Sequence, residues 1–227
     1  MTIADTIKSV GARLTMGDED VRALLEKDHA EVKDLLHGLV DGEPGRSRKR
    51  LLETLKTNLT AHSRAEEQVV YDALIRARAK FDVHVLAEEG YVEHGSVDDL
   101  LVRISRLEVG TDLWQAHAKV IREQLEAHIA EEQNEMFAQL GDLFSRDELI
   151  AMGRDFLRLK ARVLTQQAAK TQRNVARVIA GRRASNAARR APAKKNTKVR
   201  TKAAPARTSA GSRRKAASSK RPARRIA

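Results

Sequence analysis

A histidine followed four residues later by a glutamate occurs twice in near-identical surroundings. The first copy is Ala61-His62-Ser63-Arg64-Ala65-Glu66-Glu67-Gln68 and the second Ala127-His128-Ile129-Ala130-Glu131-Glu132-Gln133. On an α-helix four residues turn about 40° past a full turn and rise about 6 Å, so each pair projects from one face. The likeness extends further, because Tyr71 and Phe137 each lie nine positions after the histidine, and Leu74 and Leu140 each lie twelve after. Two similar helical faces, each offering an imidazole and a carboxylate, are therefore expected to face each other across one core.

The rest of the chain supplies helices to carry them. Apolar residues recur at helical spacing from Asp18 to Asp41, from Leu51 to Leu74, from Phe81 to Glu108 and from Leu113 to Leu140. Asp41-Gly42-Glu43-Pro44-Gly45 and Gly110-Thr111-Asp112 break the pattern, and Gly141 is read as the end of the fourth helix. Ser145-Arg146-Asp147-Glu148 has the form of a capping box that opens a fifth. No β-branched segment alternates with period two. Short connections between long helices predict an all-α fold, an antiparallel up-down four-helix bundle. The expected organisation is a lead-in helix in 1–17, the bundle in 18–160, a basic helical extension in 161–181 and a disordered Lys/Arg/Ala-rich tail in 182–227.

Charge divides the chain the same way. Residues 1–155 hold all 31 acidic residues against 20 basic ones, whereas residues 156–227 hold 23 Lys and Arg and no acid. There is no cysteine, which excludes disulfides and thiolate chemistry. No apolar run reaches the roughly 20 residues of a membrane span, and the N-terminus lacks the continuous apolar stretch of a secretory signal. A soluble, cytoplasmic protein is expected.

Each bundle helix carries a histidine on its apolar stripe: His29, His62, His94 and His128, with Glu66 and Glu132 added on the second and fourth. Four imidazoles and two carboxylates suit a pair of first-row transition metals, the carboxylates being able to bridge the ions. A buried carboxylate without a partner is costly, and metal coordination is one of the few compensations. His37 and His84 fall off the inner faces, and His117 lies three turns from His128, so all three are read as structural or surface residues.

These motifs resemble the hemerythrin-like, HHE cation-binding family. The resemblance rests on Lys27-Asp28-His29, His62 to Glu67 with Val70-Tyr71, Glu93-His94, and His128 to Glu132 with Met136-Phe137. Ferritin-like bundles instead use inward Glu-x-x-His pairs. The resemblance implies a metal site made by His29, His62, Glu66, His94, His128 and Glu132, holding two iron ions in an oxo-bridged centre that binds O2, peroxide or nitric oxide. Manganese, zinc and copper also suit such donors. Tyr71, Glu67 and Glu93 are expected behind the ligands. Oxygen-carrying hemerythrins have a further histidine where this chain has Gly90. That departure disfavours simple oxygen carriage unless Glu89, Glu93 or water fills the place, and it favours catalase-like peroxide chemistry or sensing.

The C-terminal cations resemble those of linker-histone-like and nucleoid-associated tails: Arg182, Arg183, Arg189, Arg190, Lys194, Lys195, Arg213, Arg214, Lys215, Lys220, Arg221, Arg224 and Arg225. Without acids or aromatic residues between them, they are expected to bind phosphates of duplex DNA or another polyanion by counterion release. A metal protein held at the nucleoid by its tail is the leading expectation. A sensor of oxygen, nitric oxide or iron, and a non-catalytic DNA-compacting protein, are the alternatives.

Overall fold

The computed structural model describes residues 3–16, 18–42, 45–77 and 81–190. Among them there are helices and no strands. In chain order these are α1 (Ile3–Met16), α2 (Val21–Asp41), α3 (Arg46–Glu66), α4 (Asp72–Arg76), α5 (Phe81–Ile104), α6 (Asp112–Glu131), α7 (Phe137–Leu143) and α8 (Arg146–Arg190). A π-helical turn, Glu67–Tyr71, joins α3 to α4 without a break, and a second, Glu132–Met136, joins α6 to α7. Helix α2 packs on α3 and α6, and α5 packs on α6 and α3, which closes a four-membered ring. The expected all-α bundle with an additional C-terminal helix is therefore present.

Local chemistry sets the helix starts. The Asp20 carboxylate accepts the Arg22 N–H at 2.9 Å, and Thr111 Oγ1 accepts the Trp114 N–H at 3.2 Å. The capping box forms as expected: Glu148 Oε2 accepts the Ser145 N–H at 2.8 Å, and Ser145 Oγ accepts the Glu148 N–H at 3.4 Å. Two boundaries differ from expectation. Gly141 does not end the fourth helix, which runs to Leu143 before Phe144 turns extended. A Cβ at Gly141 would lie 2.7 Å from Arg22 Nη1, so this glycine makes room for the guanidinium. Helix α8 continues past Arg182 to Arg190, because Ala and Arg favour a helix and the first proline of this stretch is Pro192. The remainder of the expected tail, from 191 onward, lies outside the described residues.

Buried apolar side chains form two clusters, not one. The first includes Leu24, Leu25, Val70, Leu74, Leu140 and Phe156. The second includes Leu36, Leu55, Leu101, Trp114, Ile121 and Leu125. Between them lies the layer that holds His29, His62, Glu66, His94, His128 and Glu132, all buried.

Helix α8 closes the first cluster through Leu149, Phe156, Leu157 and Leu164. Its approach to the start of α2 is backbone-close: a Cβ at Gly153 would lie 2.3 Å from the Glu19 carbonyl oxygen and 3.3 Å from the Val21 nitrogen. Backbone cannot step aside as a flexible side chain can. Gly153→Ala is expected to lower stability by about 1–3 kcal/mol, the range for overpacking a tight contact. Denaturant unfolding checks this, and an unchanged midpoint would mean that α8 does not sit so close.

Candidate metal centre

The six side chains approach one another in the middle of the bundle, none more than 4 % exposed. Helix α2 supplies His29, α3 supplies His62 and Glu66, α5 supplies His94, and α6 with its π turn supplies His128 and Glu132. Donor atoms of Glu66, His94, His128 and Glu132 all lie within 4.8 Å of one another, as do those of His29, His62 and Glu66. Glu66 thus belongs to both groups. Glu132 also straddles them, with Oε2 3.2 Å from His29 Nε2 and Oε1 3.5 Å from His128 Nε2. His62 Nε2 lies 3.1 Å from Glu66 Oε2, and the Nε2 atoms of His94 and His128 are 3.1 Å apart.

Each donor group fits a metal ion. A divalent ion such as zinc holds nitrogen and oxygen donors at about 2.0–2.2 Å, so donors around one ion are at most about 4.4 Å apart. The observed groups need a contraction of only a few tenths of an ångström. Moreover, both ring nitrogens of His29, both oxygens of Glu66 and Oε2 of Glu132 are buried and make no hydrogen bond. Buried polar atoms without partners are rare, and each calls for an explanation such as an ion.

Behind the donors, carboxylates fix the rings. His62 Nδ1 donates to Asp28 Oδ2 at 3.3 Å, His94 Nδ1 to Glu67 Oε1 at 3.2 Å, and His128 Nδ1 to Glu93 Oε2 at 2.6 Å. A carboxylate can only accept, so each ring is held with Nε2 free to face the centre, as in carboxylate–histidine–metal arrangements. Glu67 is in turn gripped by Arg64, which also reaches Asp98 at 2.6 Å. Glu67 and Glu93 thus lie on the Nδ1 side of the His94 and His128 rings. Glu93 is engaged by the His128 ring, and Glu89 is exposed.

The space against Gly90 is filled by Tyr71. A Cβ at Gly90 would lie 2.5 Å from the Tyr71 Cζ and 2.6 Å from its oxygen, so the phenol occupies the volume a larger residue would need. The hydroxyl donates to Glu132 Oε1 at 2.5 Å and lies 3.5 Å from His94 Nε2. The π turns explain how it gets there. On an uninterrupted α-helix, residue 71 would sit about 180° from residue 62. A π turn takes up one extra residue, which turns everything beyond it back by about 100°. The Asp72 N–H accordingly bonds to the Glu67 carbonyl five residues back, and the Phe137 N–H to that of Glu132. Phe137, the counterpart of Tyr71, stacks against His29 with ring centroids 6.3 Å apart.

His37, His84 and His117 stay outside the centre. His37 is exposed beside Asp41, while His84 and His117 bond to the carbonyls of Ala77 and Leu113. The sequence pattern did not reveal Asp28, Arg13 and Lys160 as parts of the site. The available signal was a lysine on the apolar stripe of α8, between Phe156 and Leu164. Of the expected tail cations, Arg182, Arg183, Arg189 and Arg190 belong to α8, and the others fall outside the described residues.

Without metal, protons balance the buried carboxylates. Burial opposes a charge on His62, but the Glu66 charge 3.1 Å away and the hydrogen bond to Asp28 push its pKa up to about 10. His128 is likewise raised, burial being outweighed by Glu132 and Glu93. Burial works against ionised Glu132 too, yet the His128 charge, the His29 ring 3.2 Å away and the hydrogen bond from Tyr71 bring it to about 2. Burial and the neighbouring carboxylates hold the Tyr71 phenol well above its ordinary value, so it stays a donor.

The signs follow from linkage. Stabilisation from protonated His62 is complete below its unfolded value of 6.5 and is lost as pH rises towards about 10. Stabilisation from ionised Glu132 is complete above its unfolded value of 4.5 and is lost as pH falls towards about 2. Metal-free protein is therefore expected to melt at its highest temperature between about pH 5 and 6.5. Metal affinity is expected to rise with pH over the range in which it falls, because binding displaces protons. Thermal melts in chelator at pH 5.5 and 9 test this, and an equal or higher midpoint at pH 9 would contradict it.

Comparison with curated proteins and with solved structures finds no match. Comparison with protein families matches residues 20–140 to the hemerythrin HHE cation binding domain. That span is more than half of the chain and contains all six converging side chains, and the chain belongs to this family.

Proposed function

We propose that this protein is a non-haem two-iron protein whose centre reacts with O2, peroxide or nitric oxide, and that its basic C-terminal extension holds it on DNA or a similar polyanion. The observation that carries the first half is the convergence of buried donor atoms from His29, His62, Glu66, His94, His128 and Glu132, with atoms of His29, Glu66 and Glu132 that make no hydrogen bond. Family membership supports cation binding at that place. Iron supplies a redox-active Lewis acid to which a small oxygen or nitrogen ligand can bind.

The protein's own residues shape what happens there. Glu66, whose carboxylate belongs to both donor groups, and Glu132, which lies near His29 as well as His128, would be the carboxylates shared between two ions, and Tyr71 donates a hydrogen bond to Glu132. A small cavity touches Tyr71, Gly90, His128, Glu132 and Met136, with Glu89, Glu93 and Glu131 at its edge. It suits a ligand of a few atoms and no larger substrate. A phenol in place of the imidazole of the resembling oxygen carriers favours reaction with peroxide over reversible carriage. Protein expressed with iron supplied is expected to contain two irons per chain and to show the near-ultraviolet absorption of a ferric pair. It is also expected to consume peroxide, and His128→Ala to lose at least 10-fold of that rate, in line with removal of a metal ligand. Equal rates in the variant would leave a sensor, and absence of metal would leave neither.

The second half rests on exposed cations. Lys170, Arg173, Arg177, Arg182 and Arg183 are exposed on α8, and no acidic residue lies beyond Asp155. Binding by such a segment is expected to be insensitive to sequence and to weaken steeply with salt. A mobility-shift assay on duplex DNA at two salt concentrations is expected to show binding by the full chain and little by residues 1–180. Of the described residues, that truncation removes only the end of α8, which is exposed from 181 to 186. Equal binding by the two would remove the nucleic-acid half of the proposal.

A further inference from the structure

Lys160 is buried, as is the carboxylate it meets: each is 2 % exposed. The other cations around it on α8, Arg158, Lys170, Arg173 and Arg177, are all exposed, and Arg162 is too. A lysine placed on an apolar stripe beside Phe156, Leu157 and Leu164 is costly unless it is paired. Its partner is Asp28 Oδ2, to which Nζ donates. The same oxygen accepts His62 Nδ1 at 3.3 Å, and Asp28 Oδ1 accepts Arg13 Nη1 at 3.3 Å. Arg13 also reaches Glu31 at 3.0 Å. Phe156 completes the contact, its ring edge-on to His62 with centroids 5.9 Å apart.

The arrangement is lopsided. The carboxylates that orient His94 and His128 come from the bundle itself, Glu67 held by Arg64 and Glu93 held by neither outer helix. His62 alone of these three is oriented by a carboxylate that α1 and α8 clamp from outside, through Arg13 and Lys160. His62 belongs with His29 and Glu66 to one donor group, and His94 and His128 belong to the other.

We propose that Lys160 is a positioning residue for one metal position only, that of His29, His62 and Glu66, and that filling this position and docking of α8 on the bundle stabilise each other. The inference rests on the two-metal reading above. Lys160 fixes Asp28, Asp28 fixes the His62 ring, and His62 Nε2 then faces Glu66 at a distance an ion can bridge. Coupling between two sites is reciprocal, so whatever tightens the metal position through α8 is itself tightened by metal.

The test loads full-length protein anaerobically with ferrous iron, then removes iron with increasing chelator and counts irons per chain. Limited proteolysis of α8 is followed with and without iron. Lys160→Met keeps the length and removes the charge. It is expected to weaken one iron position roughly 10- to 100-fold, the usual range for loss of an outer hydrogen-bond partner, and to leave the other unchanged. At intermediate chelator the variant keeps one iron where the native chain keeps two, and iron no longer slows cleavage within α8. The double variant Asp28→Asn/Lys160→Met, which removes both charges of the pair, is expected to behave likewise and guards against a simple folding failure. Loss of both irons together, or of neither, overturns the positioning role. A native chain that takes up no iron overturns the two-metal reading and this inference with it. A native chain that binds two irons beside an unchanged Lys160→Met variant overturns this inference alone.

Discussion

Six ionisable side chains occupy the cross-section of a bundle that would otherwise be filled with leucine and valine. Removing charges from water costs several kcal/mol each unless partners replace the lost solvation. Everything around the centre can be understood as that replacement. The two apolar clusters stop on either side of the layer, so no donor has to compete with packing. The carboxylates of Asp28, Glu67 and Glu93 satisfy the outward ring nitrogens, and Arg13, Arg64 and Lys160 satisfy the carboxylates, apart from Glu93. Charge alternates outward from the centre, cation-binding donors first, then acids, then bases. Within this shell the unmatched atoms are on His29, Glu66 and Glu132.

Such a shell also explains the additional helices. The four-helix ring would contain the donors without α1 or α8, but Asp28 would then face solvent on one side and lose two of its three partners. Helix α8 covers the first apolar cluster and delivers a single amine into it. From 165 to 186 the same helix has no buried residue, and its charges there are exposed. One continuous element thus serves the interior of the bundle over its first five turns and solvent thereafter.

Which parts were legible in the sequence depends on the range of the interaction involved. Periodicity is local, so the helices, the glycine break before α6 and the Ser145–Glu148 cap could be read directly. The converging set was legible because His62 and Glu66, and His128 and Glu132, are related by a single helical turn. The π turns were not, since nothing in Glu67–Tyr71 or Glu132–Met136 marks an extra residue per turn, and the insertion is stabilised by tertiary contacts such as the Tyr91 hydroxyl, 3.0 Å from the Glu67 carbonyl oxygen. Asp28 and Lys160 are 132 positions apart, a separation at which pattern carries no information. Gly141 misled for a similar reason. Its role is room for Arg22, which only the packed bundle reveals.

Gly90 and Tyr71 fill one another's space, and this mutual exclusion has a historical consequence. A chain with an imidazole at residue 90 cannot also keep the phenol where it is, because the ring already stands 2.5 Å from where the new side chain would begin. Conversion between the two kinds of pocket therefore requires two simultaneous exchanges, or passage through a form with either a steric clash or an empty hole.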